Sequence, residues 1–373
     1  MTYFFISDLH VDFYSPLSRT VSLLHRYFEE FFERYFLPAD VCCIAGDIAN
    51  NYFTYVEFLK FIATKYSAVY VCFGNHDIIT EKAGVFGAEK DFPTSEGKMD
   101  FFLKESAKIP NIRLLENCMQ DGIAGCMGMC DFKYMHTPGA SEILNQMLWS
   151  TRWFDGRHWN YMRNNPGRLW EHYDVVLRDL SFKKPKIMMS HFLPLEFGMA
   201  ERYIHDPCSN FFYFHGAPYL ENLDDGGIYQ AGHTHTAIKK TFVDLQGKCH
   251  LLLCNPVGYP DENPYAENDL RREDFLIELD TSIGLAGSYV HPRGQGDARC
   301  IPPHVRGANP LPLIKNQQKV SLGAVFSLFL GLILLWLEIF RSSYEDAGLS
   351  VWYFGVCCCV YGRGRKSSQI VVQ

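Results

Sequence analysis

The sequence contains no Cys-x-x-Cys pair, although it holds 13 cysteines in 373 residues. These cysteines follow no disulfide pattern. Cys42, Cys43 and Cys72 fall inside apolar runs, where a thiol acts as a small hydrophobe. This argues against a disulfide-stapled scaffold and fits a reducing, cytosol-like compartment. A general excess of positive charge is also missing. The formal net charge of −7 gives no general case for binding nucleic acid by phosphate neutralisation. The average hides an asymmetry: residues 286–373 carry nine Lys/Arg against four Asp/Glu, a net of +5, which leaves −12 on the first 285. No secretory signal is visible at the N-terminus, and the expectation is that none is present. What is there is an ordinary globular balance, 47% hydrophobic and 21% charged, rich in aromatics with 29 Phe and 21 Tyr.

The first 75 residues alternate between two periodicities. Residues 3–7 read as a strand, and residues 17–37 as an amphipathic helix closed by Pro38. Val41-Cys42-Cys43-Ile44-Ala45 reads as a strand buried on both faces. Residues 52–65 read as a second helix, and residues 68–73 as a third strand. Strand–helix alternation implies an α/β layered fold with parallel pairing. Further on, residues 112–115, 122–129, 186–190, 227–231, 237–243, 249–254 and 274–280 suit strands.

Five of these strands run directly into polar clusters. The clusters are Asp8-Leu9-His10, Gly46-Asp47, Gly74-Asn75-His76-Asp77, His191, and Gly232-His233-Thr234-His235. Open α/β sheets place ligands beyond the carboxyl ends of their strands. Asp8 and His10 stand two apart, so on an extended segment both side chains point the same way. The set mixes hard oxygen donors (Asp8, Asp47, Asn75) with imidazoles (His10, His191, His233, His235) and includes no cysteine. Such ligands suit Mn, Fe, Zn, Co or Ni rather than Mg or Ca alone. Seven ligands exceed one tetrahedral ion but suit two if a carboxylate bridges them. Two ions about 3.5–4 Å apart can clamp the attacking and leaving oxygens of a phosphoryl group.

In order and strand context, these motifs resemble the calcineurin-like metallophosphoesterase superfamily over roughly residues 1–280. The resemblance implies an α/β fold: a four-layer α-β-β-α sandwich of two mixed sheets flanked by helices, here with a C-terminal extension. It implies a hydrolase of phosphate mono- or diesters with two divalent transition-metal ions, Mn first among them, then Fe, Zn, Ni or Co. Asp8, His10 and His235 would hold the first ion, and Asn75, His191 and His233 the second; Asp47 would bridge them. A hydroxide between the ions would attack phosphorus. His76 would protonate the leaving oxygen or stabilise its charge, and Asp77 would orient His76. Two departures narrow the branch. No arginine follows Gly46-Asp47, and Asp77 stands where the Ser/Thr protein phosphatases carry glutamate. This points to phosphodiesters, nucleotides, pyrophosphates or small phosphomonoesters. The expected partner is a phosphorylated small molecule or nucleotide rather than nucleic acid. Rival readings are a catalytically silent metal-binding scaffold and a nuclease of the same superfamily. After Gly46-Asp47, Asn50 or Asn51 either caps a turn or touches substrate.

The domain expectation is a catalytic unit over 1–285 with an irregular insertion at about 131–173. The insertion interleaves Trp149, Trp153, Trp159 and Trp170 with Arg152, Arg157, Arg163 and Arg168. It reads either as a cap gripping anionic substrate or, the preferred reading, as a flanking helical segment with core tryptophans and solvated arginines. Residues 286–318 read as a linker and 341–373 as a disordered tail. The uncharged 17-residue run Ser321–Leu337 leads to an expected transmembrane helix over 319–340. Cys357-Cys358-Cys359 is either an acylation site or accidental. Together these place a cytoplasmic catalytic domain at a membrane, with the oligomeric state left open.

Overall fold

The computed structural model describes residues 1–14, 20–80, 92–132, 142–162, 165–194, 203 and 206–279. The expected linker, transmembrane helix and tail at 286–373 lie outside the described residues. Among the described residues, no helix is long and apolar enough to cross a membrane.

Two mixed sheets form the centre. The first holds β1 (Thr2–Ile6), β2 (Val41–Ala45), β3 (Ala68–Cys72) and β4 (Ile112–Leu114) in parallel, with β11 (Leu276–Glu278) antiparallel on β1; its order is β11-β1-β2-β3-β4. The second is ordered β5-β6-β7-β8-β10-β9. Its strands are β5 (Cys118–Gln120), β6 (Ile123–Cys126), β7 (Ile187–Ser190), β8 (Ile228–Ala231), β9 (Ile238–Val243) and β10 (Cys249–Cys254). Here β6, β7, β8 and β10 are parallel, while β5 and β9 are antiparallel edges. Every residue of β2, β6, β7 and β8 is buried, as their largely apolar runs require of strands covered on both faces.

The sheets pack face to face, β3 on β6 and β1 on β10. Their joint is not purely apolar. Gln230 of β8 donates to the carbonyls of Ile6 and Cys43, both at 2.9 Å, and Asn255 donates to that of Phe5 at 2.7 Å. These buried bonds fix the two sheets in register at the end where the strands stop.

Eight helices lie among the described residues: α1 (Val11–Tyr14), α2 (Val21–Tyr35), α3 (Tyr52–Ile62), α4 (Ser95–Ser106), α5 (Glu142–Thr151), α6 (Phe154–His158), α7 (Pro166–Phe182) and α8 (Ala217–Leu220). On the first sheet's side, α2 buries Leu24, Phe28 and Phe31, and Phe28 meets Phe58 of α3 edge-on at 5.2 Å. Asn51 starts α3 by accepting from the N–H groups of Phe53 and Thr54. On the other side α7 packs against β6 and α8. The result is the four-layer α-β-β-α arrangement.

The described residues of the 131–173 segment contain three helical stretches, α5, α6 and the start of α7. Trp149 and Trp159 are buried, Trp153 and Trp170 are partly buried against the core, and Arg152, Arg157 and Arg168 are exposed. Arg163 lies outside the described residues.

Candidate metal centre

Each expected ligand sits just past the carboxyl end of a strand. Asp8 and His10 follow β1, Asp47 follows β2, Asn75 follows β3, His191 follows β7, and His233 and His235 follow β8. Donor atoms of Asp8, His10, Asp47 and His235 all lie within 4.8 Å of one another. Asn75, His191 and His233 form a second group: Asn75 Oδ1 is 2.7 Å from His191 Nε2 and 3.0 Å from His233 Nδ1. Asp47 lies between the groups, its Oδ2 3.6 Å from His10 Nε2 and 3.3 Å from His191 Nε2.

Asp8 and His10 converge by a different route from strand alternation. Strand β1 ends at Ile6, and the two residues have φ of 50° and 44°. Asp47, His233 and His235 share the left-handed region at 55°, 71° and 47°. Non-glycine residues there cost roughly 1–2 kcal/mol each, so the surroundings must hold them. They do. Asp8 N–H donates to Gly46 O at 3.0 Å, His10 N–H to Asp47 O at 2.9 Å, and His233 N–H to Asp8 Oδ1 at 2.8 Å. Two glycines make the closeness feasible. A Cβ on Gly74 would stand 2.1 Å from Asp47 Oδ1, and one on Gly232 would stand 2.8 Å from Asp8 Oδ2.

The imidazoles carry the clearest sign that a cation fits. His191 Nδ1 faces Ala45 O at 2.9 Å, His233 Nε2 faces Phe211 O at 3.1 Å, and His235 Nδ1 faces Glu262 Oε2 at 2.5 Å. All three partners only accept, so each of these ring nitrogens carries the proton. In the neutral rings the other nitrogen then presents a lone pair inward. There it meets further acceptors: Asn75 Oδ1, Asp8 Oδ1 at 3.6 Å from His235 Nε2, and Asp47 Oδ2. Lone pair facing lone pair is repulsive unless positive charge, a metal ion or a ring proton, lies between them.

The electrostatics agree. Burial pushes His10 and His233 well below their ordinary value, which keeps both rings neutral. For His191 burial acts in the same direction, but the Asp47 and Asp8 carboxylates outweigh it and raise the ring to about 10. Burial would push Asp47 up; His191 and His76 outweigh it and hold the carboxyl well below the usual range. The cluster therefore attracts positive charge to its middle, and a mixed O/N donor set of this kind suits divalent transition metals.

His76 lies beside the ligands, its ring 4.9 Å from that of His10. Its orientation corrects the expectation for Asp77. The Asp77 oxygens accept from backbone N–H groups of Asp47 (3.0 Å), Ile48 (2.8 Å), Ala49 (3.2 Å) and Gly74 (2.8 Å). Asp77 thus ties the β2 and β3 loops together and does not orient the imidazole. Asn50 does: its Oδ1 is 2.9 Å from His76 Nδ1. On the other side Tyr259 OH is 3.2 Å from His76 Nε2, and Phe154 stacks on the ring at 4.9 Å and 11°. The Asn50 loop is braced in turn. Asp12 Oδ2 accepts from the N–H groups of Asn50 and Asn51, and buried Lys98 donates to Asn50 O at 2.7 Å.

Sequence reasoning missed Tyr259, Glu262 and Asp155. Tyr259 stacks on His10 at 4.4 Å and 29°. Asp155, on α6, accepts from the side-chain amide of Asn75. The weak signal for the first two was a polar turn, Gly258-Tyr259-Pro260-Asp261-Glu262, just past another buried strand, β10.

Comparisons with known proteins bear on this geometry. The family model described as calcineurin-like phosphoesterase matches residues 1–237. Comparison with curated proteins gave no match. Among solved structures, the phosphopantetheinyl hydrolase of Mycobacterium tuberculosis superposes with a TM-score of 0.51 at 14% identity, covering 74% of this chain and 94% of that one. At that identity the likeness concerns the fold, and the fold is shared. With more than half of its length matched by the family model, this chain belongs to the calcineurin-like phosphoesterase family.

Proposed function

We propose that this chain hydrolyses phosphate mono- or diesters with two divalent metal ions. One observation carries the reading: imidazoles anchored through their outer nitrogens to acceptors, with their inner nitrogens aimed at carboxylate and amide oxygens. Asp8, His10 and His235 would hold the first ion, Asn75, His191 and His233 the second, with Asp47 shared. Bound there, such ions supply charge neutralisation for the phosphoryl oxygens and lower the pKa of the attacking water.

The remaining work falls to the chain's own residues. Breaking the bond between phosphorus and the leaving oxygen leaves that oxygen in need of a proton. His76 is the group we assign to it. Its Nδ1–H stays on Asn50, so Nε2 is the atom that can hold and deliver the proton. Burial lowers His76 to about 4, so the ring rests neutral near pH 7 and would pass to the leaving oxygen a proton first taken up at Nε2 from the attacking water. Tyr259 and Phe154 limit the ring's rotation. A panel of phosphate mono- and diesters, assayed in Mn²⁺ with the wild-type chain and with His76→Ala, tests the proposal. A large loss of turnover in His76→Ala on the best substrate is expected. Undiminished turnover would remove His76 from the mechanism, and a wild-type chain inactive on every ester would remove the function.

A further inference from the structure

Asn75 is the one amide in the ligand set, and an amide has a direction. Its oxygen can face a cation, whereas its NH₂ repels one. The two ends are nearly equal in shape, so packing alone selects weakly between them. Something must impose the choice, and the structure holds a group that does.

Asp155 is fully buried on α6. Its Oδ1 accepts from Asn75 Nδ2 at 2.8 Å, and its Oδ2 accepts from Trp153 Nε1 at 2.9 Å. Nearby, Trp159 Nε1 donates to the main-chain oxygen of Asn75 at 2.9 Å. Both Asp155 oxygens accept in this arrangement, one of them from an indole N–H that can only donate, so it is the Asn75 NH₂ that turns toward Asp155. Its Oδ1 is thereby turned to His191 Nε2 and His233 Nδ1. With the amide reversed, NH₂ would confront those inner nitrogens and no oxygen would remain for a cation.

We infer that Asp155 is a positioning residue for the second metal site: it fixes the carbonyl face of Asn75 inward and so sets the affinity of that site separately from the first. The inference rests on the metal reading given above. It also makes α6, with Trp153 and Trp159, a working part of the centre rather than a flanking insertion.

The test is Mn²⁺ titration of the chelator-stripped full chain by calorimetry, comparing wild type with Asp155→Asn. Partners that orient a ligand are typically worth about 10–100-fold in metal affinity. The second ion is expected to weaken by about that factor, with the first within about threefold. Trp153→Phe, which removes the bond holding Asp155 while keeping an aromatic ring against Phe211, Phe212 and His233, is expected to weaken the same ion by a smaller factor. It keeps the test open if Asp155→Asn fails to fold by circular dichroism. The exchanged pair Asn75→Asp with Asp155→Asn restores an inward oxygen whichever way the side chain turns. It is expected to recover most of the lost affinity. Unchanged affinities in the folded single variants, or equal weakening of both ions, would overturn the inference. A wild-type chain that takes up no Mn²⁺ would instead overturn the metal reading on which it rests.

Discussion

Asn50→Ala separates the two residues that compete for the role of orienting His76. The substitution deletes the Oδ1 that meets His76 Nδ1 at 2.9 Å. It leaves the loop's other anchors intact, because Asp12 and Lys98 bind the main-chain N–H and O of residue 50, and Asn51 still caps α3. What is lost is one acceptor, with a buried N–H left unsatisfied, a cost of about 1–3 kcal/mol. Carried into the transition state, that is roughly 5–150-fold in rate. The stack on Phe154 and the contact with Tyr259 still hold the ring, so the lower half of the range is expected. Steady-state kinetics should show a fall in kcat with metal content and melting temperature near wild type. Asp77→Asn should behave in the opposite way. It places an NH₂ among four backbone donors that now share a carboxylate, and should cost about 3 kcal/mol or more of stability. Wild-type kcat in Asn50→Ala, together with a stable but inactive Asp77→Asn, would refute this division of labour.

Gly74→Ala would drive a methyl to within 2.1 Å of Asp47 Oδ1 and 2.3 Å of Asp47 N. Metal content by mass spectrometry and hydrolysis should both collapse, and an alanine variant that binds metal normally would contradict the packing. Glu262→Gln removes the charge that accepts from His235 Nδ1. First-ion affinity should fall by about tenfold in a Mn²⁺ titration, and no change would mean that His235 is oriented without it. Burial pushes Glu116 up from 4.5 to about 8, and its Oε2 is buried without a partner. The folded state therefore binds this proton more tightly than the unfolded one. The associated stability is full below 4.5 and is lost as pH rises through about 8. Such a shift corresponds to at most about 5 kcal/mol, reduced by screening because the residue is partly accessible. Glu116→Gln should match wild type in urea unfolding at pH 5 and exceed it at pH 9; a difference that does not grow with pH would refute the assignment.

Much of this architecture was legible because buried strands announce themselves as apolar runs. Strand β2 matches its predicted bounds, and β1, β3, β7 and β8 lie within a residue of theirs. Edge strand β5 was not seen, since Cys118–Gln120 is short and mostly exposed. Helix α4 was not seen either, because Ser95–Ser106 buries Lys98 and Ser95 alongside Met99 and Phe102 and so lacks a clean apolar stripe. In the centre, residue types and strand ends picked out the side chains that the fold brings together, but orientation depended on contacts between distant parts of the chain. His76 and Asp77 are neighbours in sequence, yet one turns to Asn50 and the other to the loop amides. Asp155 reaches Asn75 from 80 positions away. The left-handed conformations of Asp8 and His10 follow from the β2 and β8 loops closing over them, which no local pattern encodes.

The most direct test of the central claim joins metal content to turnover in one sample. Purified full-length chain should carry two divalent ions, hydrolyse bis(p-nitrophenyl) phosphate or its monoester, lose that activity with a chelator and regain it with Mn²⁺. Asp47→Asn, which removes the carboxylate lying between the two groups of donors, should bind metal weakly and be inactive. Hydrolysis that persists without metal, or full activity in Asp47→Asn, would contradict the account.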